Sequence, residues 1–371
     1  MSGVRHLYVH LPFCAHRCGY CDFVTVVGRE GLHEAYVDAL LTELEFERRV
    51  LADPLETVYL GGGTPTFTDS SALERLLASL PPAAEVTIEA NPETMTPALA
   101  RLLSRGSVSR VSMGAQSFDP RLLSVLERRA TPDDVRRCVH TLRDANFDNI
   151  SLDLIYGIPG QSASDLERDL EAALALEPQH LSCYELEAKP GTRFTHTFGD
   201  ELARQSDALE GYFEQVVETL TSAGYRWYET ANFCLRPELD AGRDLRSRHN
   251  LAYWLGRDYL GIGIGAVSTL GWLRRGNTPR LPAYLEALRR GEDPPREIEP
   301  LDDEIKRRER VMLGLRLDEP LALAGLGDAV DEQALARLEA LGLATREAGE
   351  KFSLTARGRF LGGGVTAELL A

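Results

Sequence analysis

Six short apolar, β-branched runs punctuate the first half of the chain, and helical patterns fall between them. The runs are LYVHLPF (7–13), TVYLGGG (57–63), VTIEAN (86–91), RVSMGAQ (110–116), NISLDLIYGIP (149–159) and HLSCYELE (180–187). Segments such as LHEAYVDALLTELEFERRVL, SALERLLASL, PALARLLSRG and ASDLERDLEAALALE separate them, with apolar residues spaced for one buried helical stripe. Asp69-Ser70-Ser71 and Thr96-Pro97 each carry a helix-opening signal. Strand–helix alternation of this kind demands parallel strands joined by crossovers. The expected fold class is therefore α/β, a parallel (β/α) partial TIM-type barrel of about six units. Ligands of such sheets gather at the C-terminal ends of the strands.

The later chain reads differently. Residues 231–300 contain the charged, turn-rich stretch NFCLRPELDAGRDLRSRHN (232–250) and the Gly-rich DYLGIGIGAVSTLG. From about residue 301 two helical patterns precede LATREAGEKFSLTARG, which has the form of a hairpin. Helix, helix and hairpin predict a small α+β winged-helix-like unit. The expected organisation is a barrel over 1–230, a loop-rich region over 231–300 and the small unit over 301–371.

Three of the six cysteines, Cys14, Cys18 and Cys21, fall within HLPFCAHRCGYCDF at C-x3-C-x2-C spacing. No run of apolar residues approaches bilayer-spanning length, and MSGVRHLYVHLPF lacks the apolar centre of a secretory signal. The chain is thus expected in the cytoplasm, with no transmembrane segment and room only for peripheral membrane contact. In that reducing compartment, clustered cysteines bind metal or do redox chemistry more often than they pair. Cys138, Cys183 and Cys234 are scattered and read as small buried apolar residues. A structural zinc site wants four closed ligands, and a fourth from His16 or Asp22 would strain so tight a loop. Three thiolates suit a [4Fe–4S] cluster whose fourth iron stays open to another ligand. The formal charge of −16 disfavours a nucleic-acid partner.

C-x3-C-x2-C directly after a first strand resembles the radical S-adenosylmethionine superfamily. YVHLPFC, GGGTPT, GAQSF, DLIYGIPGQ and RHNLAYW resemble the branch that holds oxygen-independent coproporphyrinogen III oxidases and HemW-type haem chaperones. The likeness runs from Tyr8 into the C-terminal unit. It implies that the amino and carboxylate groups of S-adenosylmethionine chelate the open iron, and that an electron from the cluster cleaves the sulfonium. It also implies roles for particular residues. Gly62, Gly63 and Thr64 meet the methionine amino group, Glu89 and Gln116 the ribose hydroxyls, and Arg128 the carboxylate. Tyr8 and Tyr20 lie beside the cluster and adenine, and Asp153 holds a binding position without an assigned partner. Independently, Glu89 and Asp153 are charges within apolar strands, which calls for a ligand or a buried basic partner.

Within that branch the resemblance favours a chaperone that binds haem as cargo and hands it to a haemoprotein. The alternative is a coproporphyrinogen III oxidase, a radical oxidoreductase of porphyrin biosynthesis. The oxidases carry another cysteine where this chain has Phe23, and a long N-terminal extension where only a few residues precede the first run. HNLAYW (249–254) resembles the chaperone signature and nominates His249 as a haem ligand. Two departures weaken the haem expectation: Ala130 and Val267 stand where relatives carry histidines. A haem-accepting protein and an electron donor complete the expected partners, both unnamed by the sequence.

Overall fold

The computed structural model describes residues 3–187, 189 and 193–370. The six expected strands are present as β1 (His6–Leu11), β2 (Leu55–Gly62), β3 (Ala83–Ala90), β4 (Arg110–Gln116), β5 (Ile150–Tyr156) and β6 (His180–Glu185). They pair in parallel and in sequence order. Helices cross between them on the outer face. The two opening signals act as expected: Asp69 accepts from Ser71 N–H and Thr96 from Leu99 N–H. One continuous core fills the space between sheet and helices, with Leu7, Val9, Val58, Leu60, Ile88 and Leu152 fully buried.

The stretch 231–300, expected to be loop-rich, supplies strands to both edges of this sheet. At one end β8 (Asn232–Leu235) adds antiparallel to β6, and β7 (Tyr225–Trp227), just before that stretch, pairs antiparallel with β8. At the other end β9 (Leu260–Ile262) adds parallel to β1. The nine-stranded sheet therefore has order β7-β8-β6-β5-β4-β3-β2-β1-β9 and stays open, a partial barrel. β9 escapes the pattern because it is three residues long and built on glycine. A Cβ on Gly261 would lie 2.2 Å from the Val267 carbonyl oxygen, so only glycine lets the chain fold back here.

β10 (Val267–Leu270), β11 (Leu273–Asn277) and β12 (Arg296–Pro300) form a small antiparallel sheet. The C-terminal unit contains the helices Asp303–Gly314 and Glu332–Ala340. Its sheet joins β13 (Leu321–Ala322), β14 (Ala344–Glu347) and β15 (Lys351–Leu354) in the order β13-β15-β14. β14 and β15 form the expected hairpin. This unit has its own core around Leu335, Phe352 and Leu369.

A buried carboxylate ties the added strands to the barrel. Glu43, on the inner face of the helix His33–Glu47, is fully buried. It accepts hydrogen bonds from Tyr284 Oη (2.6 Å), Asn277 Nδ2 (2.7 Å), Gly263 N–H (2.8 Å) and Arg296 Nη2 (3.1 Å). Burial pushes its carboxyl above the ordinary range, and these donors pull it back. Removing one partner of a buried charge network is far costlier than the network's net worth. Glu43→Ala should therefore lower unfolding stability by about 3–5 kcal/mol in urea titration, with Glu43→Gln losing less. A loss under ~1 kcal/mol in Glu43→Ala would show that the tie is dispensable.

Candidate functional site

The loop after β1 folds back on itself. Val26 N–H donates to Pro12 O (2.8 Å) and Cys14 N–H to Val26 O (3.0 Å). Within it Cys21 N–H reaches Cys18 O (3.2 Å), and Arg17 caps Cys21 O (3.2 Å). The three thiols are unpaired and face one cavity of about 500 Å³ at the C-terminal rim of β2 to β6. Cys14 is nearly buried, its Sγ 3.3 Å from Thr64 Oγ1, and burial pushes its thiol up to about 11. A thiolate there needs a positive counter-charge, which bound iron supplies. Among the described residues no three His, Cys, Asp or Glu side chains converge on a single-ion position. A cluster asks for wider spacing, since each thiolate binds a different iron. The donor set thus fits a cluster. Cys138, Cys183 and Cys234 are buried in the interior, away from this loop.

Strand ends build the rest of the rim. Gly62, at the end of β2, has φ of +114°, and a Cβ on Gly63 would lie 2.4 Å from Pro12 O. Gly62 requires glycine for that φ and for the His10 ring, which a Cβ would meet at 2.5 Å, and Gly63 because the start of the cysteine loop packs on its backbone. Glu89 accepts from Tyr59 Oη (2.8 Å) and Gly62 N–H (3.0 Å). Burial raises its carboxyl to about 7 in spite of those donors. Asp153 is likewise raised by burial, and Ser112 Oγ donates to it at 3.3 Å. Gln116 ends β4 at a bulge, with a left-handed φ of +66° that turns its side chain into the cavity. Arg128 reaches back over β4. Its Nη2 donates to Gly114 O (2.8 Å) and Asn91 Oδ1 (2.9 Å), Nη1 lies 3.8 Å from Cys18 Sγ, and Nε has no partner.

The structure thus brings Cys14, Cys18, Cys21, Tyr20, Gly62, Gly63, Thr64, Glu89, Gln116, Arg128 and Asp153 to one cavity. Tyr8, expected beside the cluster and adenine, lines an adjoining, smaller cavity with Tyr253, Val267 and Phe23, the last of which lines both. His10 follows it two residues along β1 and takes its Oη in a 3.0 Å hydrogen bond, and Tyr8 stacks on Tyr59. Three residues escaped sequence reasoning: Asn91, Tyr59 and Arg110. Arg110, 1% exposed at the start of β4, is the buried base that Glu89 and Asp153 call for, its charge favouring both carboxylates. The signal was available in an arginine opening an otherwise apolar strand.

His249 lies beneath this cavity, on the helix Arg248–Trp254. Glu85 receives Arg248 N–H (3.1 Å) and His249 N–H (3.4 Å), a carboxylate at a helix start. The imidazole is 1% exposed. Its Nδ1 bonds Thr57 Oγ1 (2.8 Å) and its Nε2 bonds Tyr253 Oη (2.8 Å). It stacks on Tyr59 at 5.1 Å and meets Tyr253 edge-on at 4.9 Å. As the side chains stand, ligation of iron by His249 requires one of those hydrogen bonds to open. Ala130 is buried, and Val267 is partly exposed at the mouth of the small cavity.

The sequence pattern of the Radical SAM superfamily matches residues 8–173. Heme chaperone HemW of Mycobacterium tuberculosis is 37% identical over 98% of this chain and 94% of its own length. The Bacillus subtilis protein of that name is 32% identical over 84% of this chain and 83% of its own, and the Escherichia coli one 37% over 70% and 68%. Among solved structures, the coproporphyrinogen III oxidase HemN from Escherichia coli, described as a radical SAM enzyme, superposes with a TM-score of 0.81. That match covers 99% of this chain and 90% of the oxidase at 23% identity, and shows a shared fold.

Burial depresses the His249 pKa to about 3, and that of His180 well below its ordinary 6.5. A base depressed on folding contributes stability that is complete above pH 6.5 and lost as pH falls toward the folded value. Each such histidine steepens the loss by up to about 1.4 kcal/mol per pH unit. The urea midpoint should therefore fall steadily between pH 7 and pH 5. His249→Gln, although less stable at pH 7, should show a shallower fall. An identical slope in both proteins would mean that His249 is protonated in the folded state.

Proposed function

Since this chain belongs to the HemW family of radical S-adenosylmethionine proteins, we propose that it is a haem chaperone that binds haem and delivers it to a haemoprotein. The observation that carries this reading is the likeness over 98% of the chain to a protein named as a haem chaperone. The likeness to the oxidase is one of fold. Phe23, where the oxidases carry a further cysteine, is exposed at the cavity mouth and adds no thiol to it.

In this reading Cys14, Cys18 and Cys21 hold a [4Fe–4S] cluster, which when bound offers one open iron and one-electron chemistry. Gly62, Gly63 and Thr64 receive the amino group of S-adenosylmethionine, and Arg128 its carboxylate. Glu89 and Gln116 take the ribose hydroxyls, Tyr20 packs beside the adenine, and Asp153 completes the rim. What supports these assignments is that all of these side chains meet in one cavity. The unpartnered Arg128 Nε points to a missing acceptor. Among the described residues no helix is long and apolar enough to cross a membrane. We place the protein in the cytoplasm, working with an electron donor and a haem-accepting protein.

Anaerobic reconstitution should load about four irons per chain with a thiolate-to-iron absorption band. Cys14→Ala, Cys18→Ala and Cys21→Ala should lose both, while Cys138→Ala, Cys183→Ala and Cys234→Ala keep them. S-Adenosylmethionine should perturb the reduced cluster's paramagnetic resonance spectrum. Arg128→Ala should blunt that response more than Arg129→Ala, whose side chain is exposed. Equal loss in the two variants would remove the role given to Arg128.

Function is decided by two anaerobic incubations. The protein should bind haem, with a Soret band, and should leave coproporphyrinogen III undecarboxylated in the presence of reductant and S-adenosylmethionine. Turnover of coproporphyrinogen III would replace the chaperone reading with the oxidase.

A further inference from the structure

A second, larger opening of about 910 Å³ lies on the other side of the helix Arg248–Trp254. Its walls are the end of that helix, the β10–β11 hairpin, the helix Asp303–Gly314 and the chain around β13. The volume falls in the upper range for small-molecule sites. The lining combines two chemistries. Trp254, Trp272, Leu313 and Leu326 present apolar surface, and Trp272 is 55% exposed in an otherwise ordinary protein exterior. Five basic side chains, Arg257, Arg274, Lys306, Arg307 and Arg310, face two acidic ones, Asp303 and Glu309. Three of these cations are paired: Arg257 with Glu56, Arg274 with Glu299 and Glu309, and Arg307 with Asp328.

Two of those cations have no carboxylate. Lys306 Nζ donates to Gly271 O (2.7 Å) and sits 4.5 Å over the Trp272 ring. Arg310 Nη1 donates to Trp254 O (3.2 Å), and burial lowers the Arg310 pKa. Neither forms an ion pair among the described residues. Apolar surface beside two uncompensated cations asks for an apolar dianion. Because Arg316 lies 4.4 Å over one face of Trp254 and Lys306 over one face of Trp272, a flat ligand meets the opposite faces.

One soft donor also faces this opening. No histidine or cysteine lines it. The Tyr253 hydroxyl is engaged by His249, and Tyr259 by Thr269. Met312 is 50% exposed, whereas Met95 and Met113 are buried. A thioether is an established axial ligand of haem iron.

We propose that this cleft is the haem seat, with the macrocycle against Trp254 and Trp272, the propionates on Lys306 and Arg310, and Met312 as the axial ligand. The assignment rests on the chaperone reading. It gives His249 a positioning role: it holds Tyr253, which forms the cleft wall, from behind. The same short helix turns Asn250 toward the thiol cavity and Tyr253 and Trp254 toward the cleft.

The test titrates the full-length protein with hemin and, separately, with iron-free protoporphyrin IX. Lys306→Gln combined with Arg310→Gln should weaken both ligands about tenfold or more, since each loses a charge-assisted contact. Met312→Leu should shift the Soret band of the hemin complex and leave protoporphyrin IX affinity within about twofold. His249→Gln should leave the Soret position in place. Wild-type hemin binding that neither the double variant nor Met312→Leu alters would overturn the cleft and leave the chaperone reading standing. A Soret shift in His249→Gln with none in Met312→Leu would move the iron to His249 and overturn it too. Failure of the wild type to bind hemin at all would remove the chaperone reading itself. Unchanged circular dichroism and iron–sulfur content in each variant confirm that the fold persists.

Discussion

The guanidinium of Arg110 is the charge on which the interior of this sheet depends. It is 1% exposed at the base of β4, where a cation without nearby anions would be prohibitively costly. Burial alone would raise the carboxyls of Glu85, Glu89 and Asp153, and the Arg110 charge opposes that rise in all three. Each carboxylate then organises something different. Glu85 seats the start of the His249 helix, Glu89 fixes the Gly62 backbone and Tyr59, and Asp153 ties β5 to Ser112 on β4. The same charge also depresses His180, after burial has done so. One buried cation therefore makes possible both the polar rim of the thiol cavity and the docking of the motif helix.

The parts of this design that were legible in sequence are those written locally. Each of the six apolar runs became a parallel strand, because a β-branched run bounded by turns has few alternatives. β4 occupies the whole of RVSMGAQ, and Glu89 and Asp153 stood out as charges among apolar neighbours. What was not legible depends on long-range packing. β9 is three residues long and owes its existence to pairing with β1 across some 250 positions, so no window of its own sequence announces it. Tyr8 was placed beside the cluster and adenine by resemblance alone; no local pattern announces that its hydroxyl meets His10, whose Nε2 meets Val24 O of the returning cysteine loop. The enclosure of His249 by Thr57, Glu85 and Tyr59 joins positions 164–192 residues apart.

The motif HNLAYW takes on a different meaning in three dimensions. A seven-residue helix has room for one buried face, and His249 and Tyr253, four apart, share it. The residues beside that face diverge: Asn250 to the thiol cavity, Trp254 to the cleft. Aromatic rings run from Tyr59 through His249 and Tyr253 to Tyr259 at successive centroid distances of 5.1, 4.9 and 4.5 Å. Tyr59 lines the first cavity, and Tyr253 and Tyr259 line the second. The two walls are thus joined by packed rings and two hydrogen bonds on one imidazole.

A carrier differs from an enzyme or a storage protein in that its cargo must leave. Release is governed by the dissociation rate, which rises as deep enclosure and strong ligation are given up. As the proposed seat, an open cleft with two cations at its rim would meet that requirement. A thioether, a weaker ligand than a buried imidazole, adds to it. Burying His249 with both nitrogens satisfied removes the strongest iron ligand near the cleft from direct competition, at a cost in acid stability. In the proposed seat, then, the balance between holding and handing on haem rests on hydrophobic contact and propionate pairing more than on iron coordination.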